Sequence, residues 1–168
     1  VEYGILFYKR KQGDFRYPSF NWINKLPNKN IKLSAHLCGE YALDFIENQK
    51  INIEDEILSK FQRLQINCTI NRFKSIDFDK FINFSLYNIK EVIFQFRNVS
   101  DIIKLSEIYN LNKINKNTEF SLLFDKSGGK GKIPKKFPIP PNNINFGYAG
   151  GINLNNIVNV LNELDSMN

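Results

Sequence analysis

With 168 residues and a hydrophobic content of 42%, the chain is long enough to bury the core of one ordinary domain, which excludes a disordered segment. Its net charge of +6 favours anionic ligands, but the 23 Lys and Arg residues are spread along the sequence without a long basic block. The charge permits a nucleic-acid partner without indicating one, and we predict none.

The cysteines and the hydropathy of the chain indicate the cellular compartment in which the protein is expected. Cys38 and Cys68 follow no metal-ligand spacing and cannot form a disulfide framework, which favours a reducing compartment. No apolar run approaches the roughly 18 residues of a membrane span, and no signal-peptide pattern opens the chain. We predict a cytoplasmic protein with no metal, no cofactor and no membrane contact. Because the chain opens on Val1, inside an apolar run, we interpret it as a fragment.

Apolar and β-branched runs alternate with helical patterns along the chain. Strands are predicted at 3–8, 32–37, 63–68, 91–97, 119–124 and 145–149. Apolar residues at helical spacing predict helices at 20–26, 39–48, 77–86, 99–109 and 153–164. The stretch 134–143 holds four of the six prolines, so it is predicted to be an irregular connection.

Strict alternation of strand and helix predicts a parallel sheet, either open and doubly wound or closed as a (β/α)8 barrel. Both folds bind ligands at the carboxyl ends of their strands. A buried polar side chain without a partner costs about 1–3 kcal/mol, so polar residues at these ends should face a ligand or one another. The residues in question are His36, Gln65, Asn67, Gln95, Arg97 and Asp125. They form either a common binding pocket or a closed polar network.

Glycine-rich loops follow the last two predicted strands. The residues they contribute are Ser127, Gly128, Gly129 and Lys130 in the first loop, and Gly150 and Gly151 in the second. Glycines let a ligand approach the backbone, and the amino end of the helix predicted from about 153 would offer free N–H groups to an anion. The loops 125–132 and 149–154 are therefore predicted to bind phosphate, as the late loops of a barrel do. Neither a dinucleotide-binding fingerprint nor a Walker A motif is present.

These loops resemble a known family. The segments LLFDKSGGKGK (122–132) and GYAGGINLNNIVNVL (147–161) are similar to the last third of phosphoribosylanthranilate isomerase, and GILFYKRKQGDFRYPS (4–19) is similar to its second strand and the basic loop that follows. The match is specific over about 119–160. The resemblance implies a TIM barrel of the ribulose-phosphate-binding type, with 1–168 forming a single incomplete domain of about six βα units out of eight.

The same resemblance implies an Amadori isomerisation of a phosphorylated small-molecule substrate, from aldose to ketose, as in tryptophan biosynthesis. Asp125 matches the family's general acid, whereas the cysteine base has no counterpart because the first strand would precede Val1. Arg10 or Arg16 would reach the substrate carboxylate. Apart from the resemblance, His36 is a candidate acid or base near neutral pH.

Three alternatives stay open. Asp125 would instead anchor the glycine loop through side-chain to backbone hydrogen bonds. The barrel would bind a phosphorylated ligand without chemistry, or it would run another reaction, such as a retro-aldol or a decarboxylation, with His36 and Arg97. The oligomeric state is not predicted.

Overall fold

A computed structural model describes residues 1–27, 31–67, 84–86, 88–102, 105, 110 and 117–167. In these ranges the strands β1 to β6 are Glu2–Tyr8, Lys32–Cys38, Arg63–Asn67, Glu91–Phe96, Glu119–Asp125 and Asn145–Ala149. The helices α1 to α4 are Phe20–Asn24, Glu40–Asn48, Asp55–Leu58 and Ile157–Asp165, and a 3-10 turn, Lys9–Lys11, follows β1.

The six strands form one parallel sheet in chain order, β1-β2-β3-β4-β5-β6. Each neighbouring pair is joined by a crossover, so the carboxyl ends of all the strands lie along one edge. The sheet confirms the predicted α/β class. Each predicted strand boundary agrees with the observed one to within one residue.

The two faces of the sheet differ in polarity, because successive side chains along a strand point in opposite directions. One face is apolar, and α2 packs against it over β1 and β2. Phe96 lies in its centre, fully buried, with its ring centroid 5.4 Å from that of Phe124 and 5.6 Å from that of Phe146. The hydrophobic core therefore lies between this face and the helices.

The opposite face of the sheet is mainly polar at its two ends, with Ile93 and Leu123 between them. Near the amino ends of the strands, Arg63 donates to Glu2 at 2.9 Å and to Glu91 at 2.6 Å, and Ser121 also donates to Glu91. Buried parallel strands are usually apolar on both faces. The alternation in this chain instead leaves a second face that can hold polar groups and a polar ligand.

The last helix begins later than the sequence predicts, at Ile157 instead of about 153. Residues 154–156 form a turn before it. Asn156 Oδ1 accepts from Asn153 N at 2.8 Å, and Asn153 Oδ1 accepts from Asn155 N at 2.9 Å. These reciprocal bonds resemble a capping box, which satisfies backbone donors at the amino end of a helical segment. The predicted row of free donors at 153–154 is therefore partly occupied.

The other helices agree in part with the prediction. The predicted helices at 20–26 and 39–48 correspond to α1 and α2, whereas α3 was not predicted because four residues are too few for a periodic signal. Residues 84–86 are not helical, and the rest of the helix predicted at 77–86 lies outside the described residues. In the part of the chain that the structure describes, no helix is long and apolar enough to cross a membrane.

Candidate functional site

A cavity of about 360 Å³ opens at the carboxyl edge of the sheet, on its polar face. It lies at the ends of β1 to β5, where the strands deliver alternate side chains to the same side. The lining consists of Leu6, Arg16, Tyr17, His36, Cys38, Gln65, Asn67, Gln95, Arg97, Asp125, Gly128 and Gly129. Most of the residues predicted to form a site therefore lie together around one cavity.

Asp125, the last residue of β5, is only 8% exposed and accepts five hydrogen bonds. Its Oδ1 accepts from Ser127 N at 3.0 Å, from Ser127 Oγ at 2.7 Å and from Gly128 N at 3.1 Å. Its Oδ2 accepts from Gly129 N at 3.0 Å and from Gln95 Nε2 at 3.2 Å. The backbone donors of the glycine loop thus surround an anion that the chain itself supplies.

A chain of amide side chains runs from Asp125 across the sheet. Gln95 donates to Asp125, and Gln65 Nε2 donates both to Gln95 Oε1 at 3.2 Å and to Asn67 Oδ1 at 2.7 Å. Asn67 Nδ2 in turn donates to the sulfur of Cys38 at 3.5 Å. Four neighbouring strands are linked in this way, and the amides form a wall of the cavity. The hydrogen bonds include Gln65, Asn67 and Gln95 of the predicted polar network but not Arg97.

Two guanidinium groups lie against the glycine loop. A Cβ atom at Gly128, where φ is +57°, would collide with the guanidinium of Arg97, and a Cβ at Gly129 would lie 3.5 Å from Arg16 Nη2. The absence of a side chain at Gly128 therefore lets Arg97 approach the loop backbone, whereas Arg16 would be in ordinary van der Waals contact with a side chain at Gly129. In the described part of the chain, neither Arg16 nor Arg97 has a carboxylate within salt-bridge distance.

The imidazole of His36 lines the cavity and packs over the backbone of β1. A Cβ atom at Gly4 would lie 2.6 Å from both Cε1 and Nε2 of the ring, so glycine is needed beneath it. Burial lowers the pKa of His36 from its ordinary value of 6.5. The ring is therefore neutral at pH 7.

Cys38 lies two residues after His36 and points to the same face. Burial raises the pKa of its thiol, while the hydrogen bond from Asn67 and the charge of Arg16 act in the opposite direction. Cys38 and the neighbouring Tyr17 and Leu6 were not predicted as site residues. The period of two along β2 would have found Cys38, because it shares a face with a residue that was predicted.

The predicted glycines Gly150 and Gly151 hold two loops together instead of lining the cavity. A Cβ atom at Gly150, where φ is +97°, would lie 2.7 Å from Asp125 Oδ1, and one at Gly151 would overlap the backbone of Ile133. The space that side chains at these two glycines would fill is therefore occupied by Asp125 and by the loop that follows β5. The prediction that Gly150 and Gly151 contact a phosphate therefore concerns their backbone N–H groups alone.

Three further predicted residues lie outside the cavity lining. Arg10 forms an ion pair with Glu40, and Ser127 is turned toward Asp125. Lys130 is exposed, and its backbone N–H donates to Ser127 O at 3.3 Å.

Comparison with known proteins gives no relative from which a role could be transferred, since no protein-family model, curated protein or solved structure matches the chain. Among the described residues, no group of three or more His, Cys, Asp or Glu side chains is arranged to hold a metal ion. The cavity and its lining are therefore the main evidence for the function.

Asp125→Asn should destabilise the protein and loosen the glycine loop. The asparagine amide places donors where the loop presents donors, so we expect a loss of about 2–4 kcal/mol in the free energy of unfolding. Urea denaturation measures the loss, and hydrogen exchange should show reduced protection at Ser127, Gly128 and Gly129. Asp14→Asn, which makes the same change on an exposed side chain, is the control. Equal effects of the two substitutions would contradict the anchoring role.

His36 should titrate below 6.5 and make stability depend on pH. Because its pKa is lowered in the folded state, the unfolded chain takes up the proton first as the pH falls. The free energy of unfolding is therefore highest above pH 6.5 and declines below it, and His36→Gln should flatten this decline. His36 is the sole histidine of the sequence, so NMR detects one imidazole titration. A midpoint at or above 6.5 would rule the prediction out.

Proposed function

We propose that the protein binds a small phosphorylated metabolite of sugar-phosphate size at the carboxyl edge of its sheet. The observation that carries this proposal is the pair of guanidinium groups, Arg16 and Arg97, that flank Gly128 and Gly129 and have no carboxylate partner among the described residues. A guanidinium presents paired N–H donors that match the oxygen atoms of a phosphate. Two such groups around one cavity favour an anion strongly over a neutral ligand.

The remaining lining suits the rest of such a ligand. Gln65, Asn67 and Gln95 present amide groups, which bind hydroxyl groups without adding charge. The volume of about 360 Å³ lies near the lower end of the range of roughly 300–1,000 Å³ for small-molecule pockets. A sugar phosphate combines a charged end with several hydroxyl groups, and it fits a pocket of this size.

We further propose that the sheet belongs to a (β/α)8 barrel of the ribulose-phosphate-binding type, of which the chain holds about six units. The strand order supports this, because a doubly wound sheet reverses its order at a switch point and β1 to β6 follow one another without reversal. The polar face supports it as well. In a barrel that face is the interior, and ligands bind at its carboxyl-end mouth.

The contacts of Asp125 favour binding over proton transfer by this residue. All five of its hydrogen bonds come from donors of the protein, and its ionised form satisfies every one of them. A general acid must instead present a proton to the substrate. Anchoring the loop is therefore the role that its surroundings support best.

A second candidate is an isomerase of the phosphoribosylanthranilate isomerase type, which would convert an aminoaldose phosphate to an aminoketose phosphate. The observation that favours it is that Asp125 and His36 line the same cavity. In this candidate Asp125 starts the cycle protonated and donates its proton to the substrate ring oxygen, while the neutral imidazole of His36 accepts the proton from C2. The proton on His36 then passes to C1 and the enol hydroxyl returns a proton to Asp125, so both groups end the cycle as they began it.

Calorimetric titration with ribose 5-phosphate and with ribose tests the binding proposal. Ribose 5-phosphate should bind and ribose should not, because only the former engages the guanidinium groups. Arg16→Gln and Arg97→Gln should each weaken binding by about tenfold to a hundredfold. Arg10→Gln is the matched control, since Arg10 is paired with Glu40 outside the cavity, and it should leave the affinity unchanged. Equal losses in all three variants, or no binding of ribose 5-phosphate, would overturn the proposal.

The isomerase candidate is tested with an N-aryl aminoaldose phosphate, by following its conversion to the aminoketose. His36→Gln should lower kcat by more than about tenfold while the affinity for ribose 5-phosphate is retained, and Asp125→Asn should lower kcat by at least as much. Because Asp125→Asn also loosens the loop, His36→Gln is the more informative of the two. If ribose 5-phosphate binds but the aminoaldose phosphate is not converted, the protein binds such ligands without catalysing this reaction. If turnover is unaffected by either substitution, neither residue is a catalyst.

A further inference from the structure

A second cavity, of about 470 Å³, shares Arg97 with the first and has an apolar floor. The floor is formed by Val99, Phe124, Ile133 and Pro134. Phe124 is buried, but Val99 is 57% exposed and Ile133 is 45% exposed. Two large apolar side chains in contact with water beside a concave surface mark a place where an apolar group would be covered. We call this cavity the lysine cleft, after its rim.

The charged residues that the structure describes at the rim of the lysine cleft are all cationic. They are Arg97, Lys126, Lys132, Lys135 and Lys136, and no described carboxylate lines the cavity. In the described residues none of these five groups forms a salt bridge, and Lys126 donates to Asn98 Oδ1 at 3.5 Å. Like charges gathered around one opening repel one another and raise the local concentration of anions.

The segment 132–138, which forms one wall of the lysine cleft, is held in place at both of its ends. At one end, the missing side chain of Gly151 lets the backbone of Lys132 and Ile133 pack closely. At the other, Phe137 is 2% exposed, and its ring centroid lies 5.3 Å from that of Tyr148. Tyr148 Oη also donates to Pro138 O at 2.8 Å. The prolines and the anchored ends fix the shape of the cleft before any ligand arrives.

We propose that the lysine cleft is a binding site for a small organic anion with an apolar body. The floor discriminates against a bare inorganic anion, since such an ion leaves Val99 and Ile133 in water. The rim discriminates against a neutral apolar molecule, which leaves five cations without a partner. This site is distinct from the sugar-phosphate site, although the two cavities share Arg97. The proposal does not depend on the function proposed for the other site.

Fluorescence titration with 1-anilinonaphthalene-8-sulfonate tests the proposal, because this probe has an apolar aromatic body and one sulfonate. N-phenyl-1-naphthylamine, which has the same rings and no charge, is the matched neutral probe. The anionic probe should bind with a stoichiometry of about one, and more tightly than the neutral probe by about tenfold, since the rim contributes only when the ligand is charged.

Two pairs of variants locate the binding. Lys135→Gln combined with Lys136→Gln should weaken the anionic probe by about fivefold to tenfold and leave the neutral probe unchanged. Lys32→Gln combined with Lys90→Gln removes the same charge near the amino ends of β2 and β4 and should have no effect. Val99→Asp should abolish binding of the anionic probe, whereas Val158→Asp, at an equally exposed apolar residue of α4, should not.

Each other outcome overturns the proposal. Failure of the anionic probe to bind shows that the cleft is not a site. Equal affinity for the two probes shows that the charge of the rim does not select the ligand. Equal losses in the cleft variants and their controls show that the probe binds to exposed apolar surface elsewhere, such as that of α4.

Discussion

The carboxylate of Asp125 determines the conformation of the carboxyl edge of the sheet. Backbone N–H groups that converge on one point need an anion or a ring of waters, and here the anion is part of the chain. The glycines reach this arrangement because three of them, Gly128, Gly129 and Gly131, adopt a positive φ at low cost. Their bare backbone then receives Arg97 on one side and lies near Arg16 on another. The positions of both arginines thus depend on one carboxylate.

A polar cavity of this kind requires a second part of the protein to supply stability. The apolar face of the sheet does so with buried aromatic and aliphatic side chains, of which each contributes about 1.5–3 kcal/mol on burial. Across neighbouring strands, Phe94 stacks on Phe120, and Phe96 packs against Phe124 with its ring tilted. Because the apolar face supplies most of the buried hydrophobic surface, the other face can hold polar groups. These include the amides of Gln65 and Gln95 and the ion pairs of Arg63.

The sequence contains enough information to locate the strands and most of the cavity, because both follow from periodicity. An apolar run that ends on a polar residue marks a strand end, and parallel strands gather their ends at one edge, so His36, Gln95 and Asp125 could be placed together. Hydrogen-bond partners do not follow from periodicity. Two features show this: the sequence left open whether Asp125 faces a substrate or bonds to its own loop, and the turn at 154–156 before α4 was not predicted. Contacts between loops are equally hidden, and the close packing of Gly150 on Asp125 is one of them.

Arg97 carries one positive charge and lines both cavities. An anion bound in either cavity neutralises this charge for the other, so the two ligands oppose each other's binding. Linkage requires the opposition to be reciprocal: whatever factor the first ligand imposes on the affinity of the second, the second imposes on the first. If both proposed ligands bind, this single shared side chain would give negative cooperativity between them without any change of conformation. The concentration of the organic anion would then set the concentration at which the sugar phosphate binds.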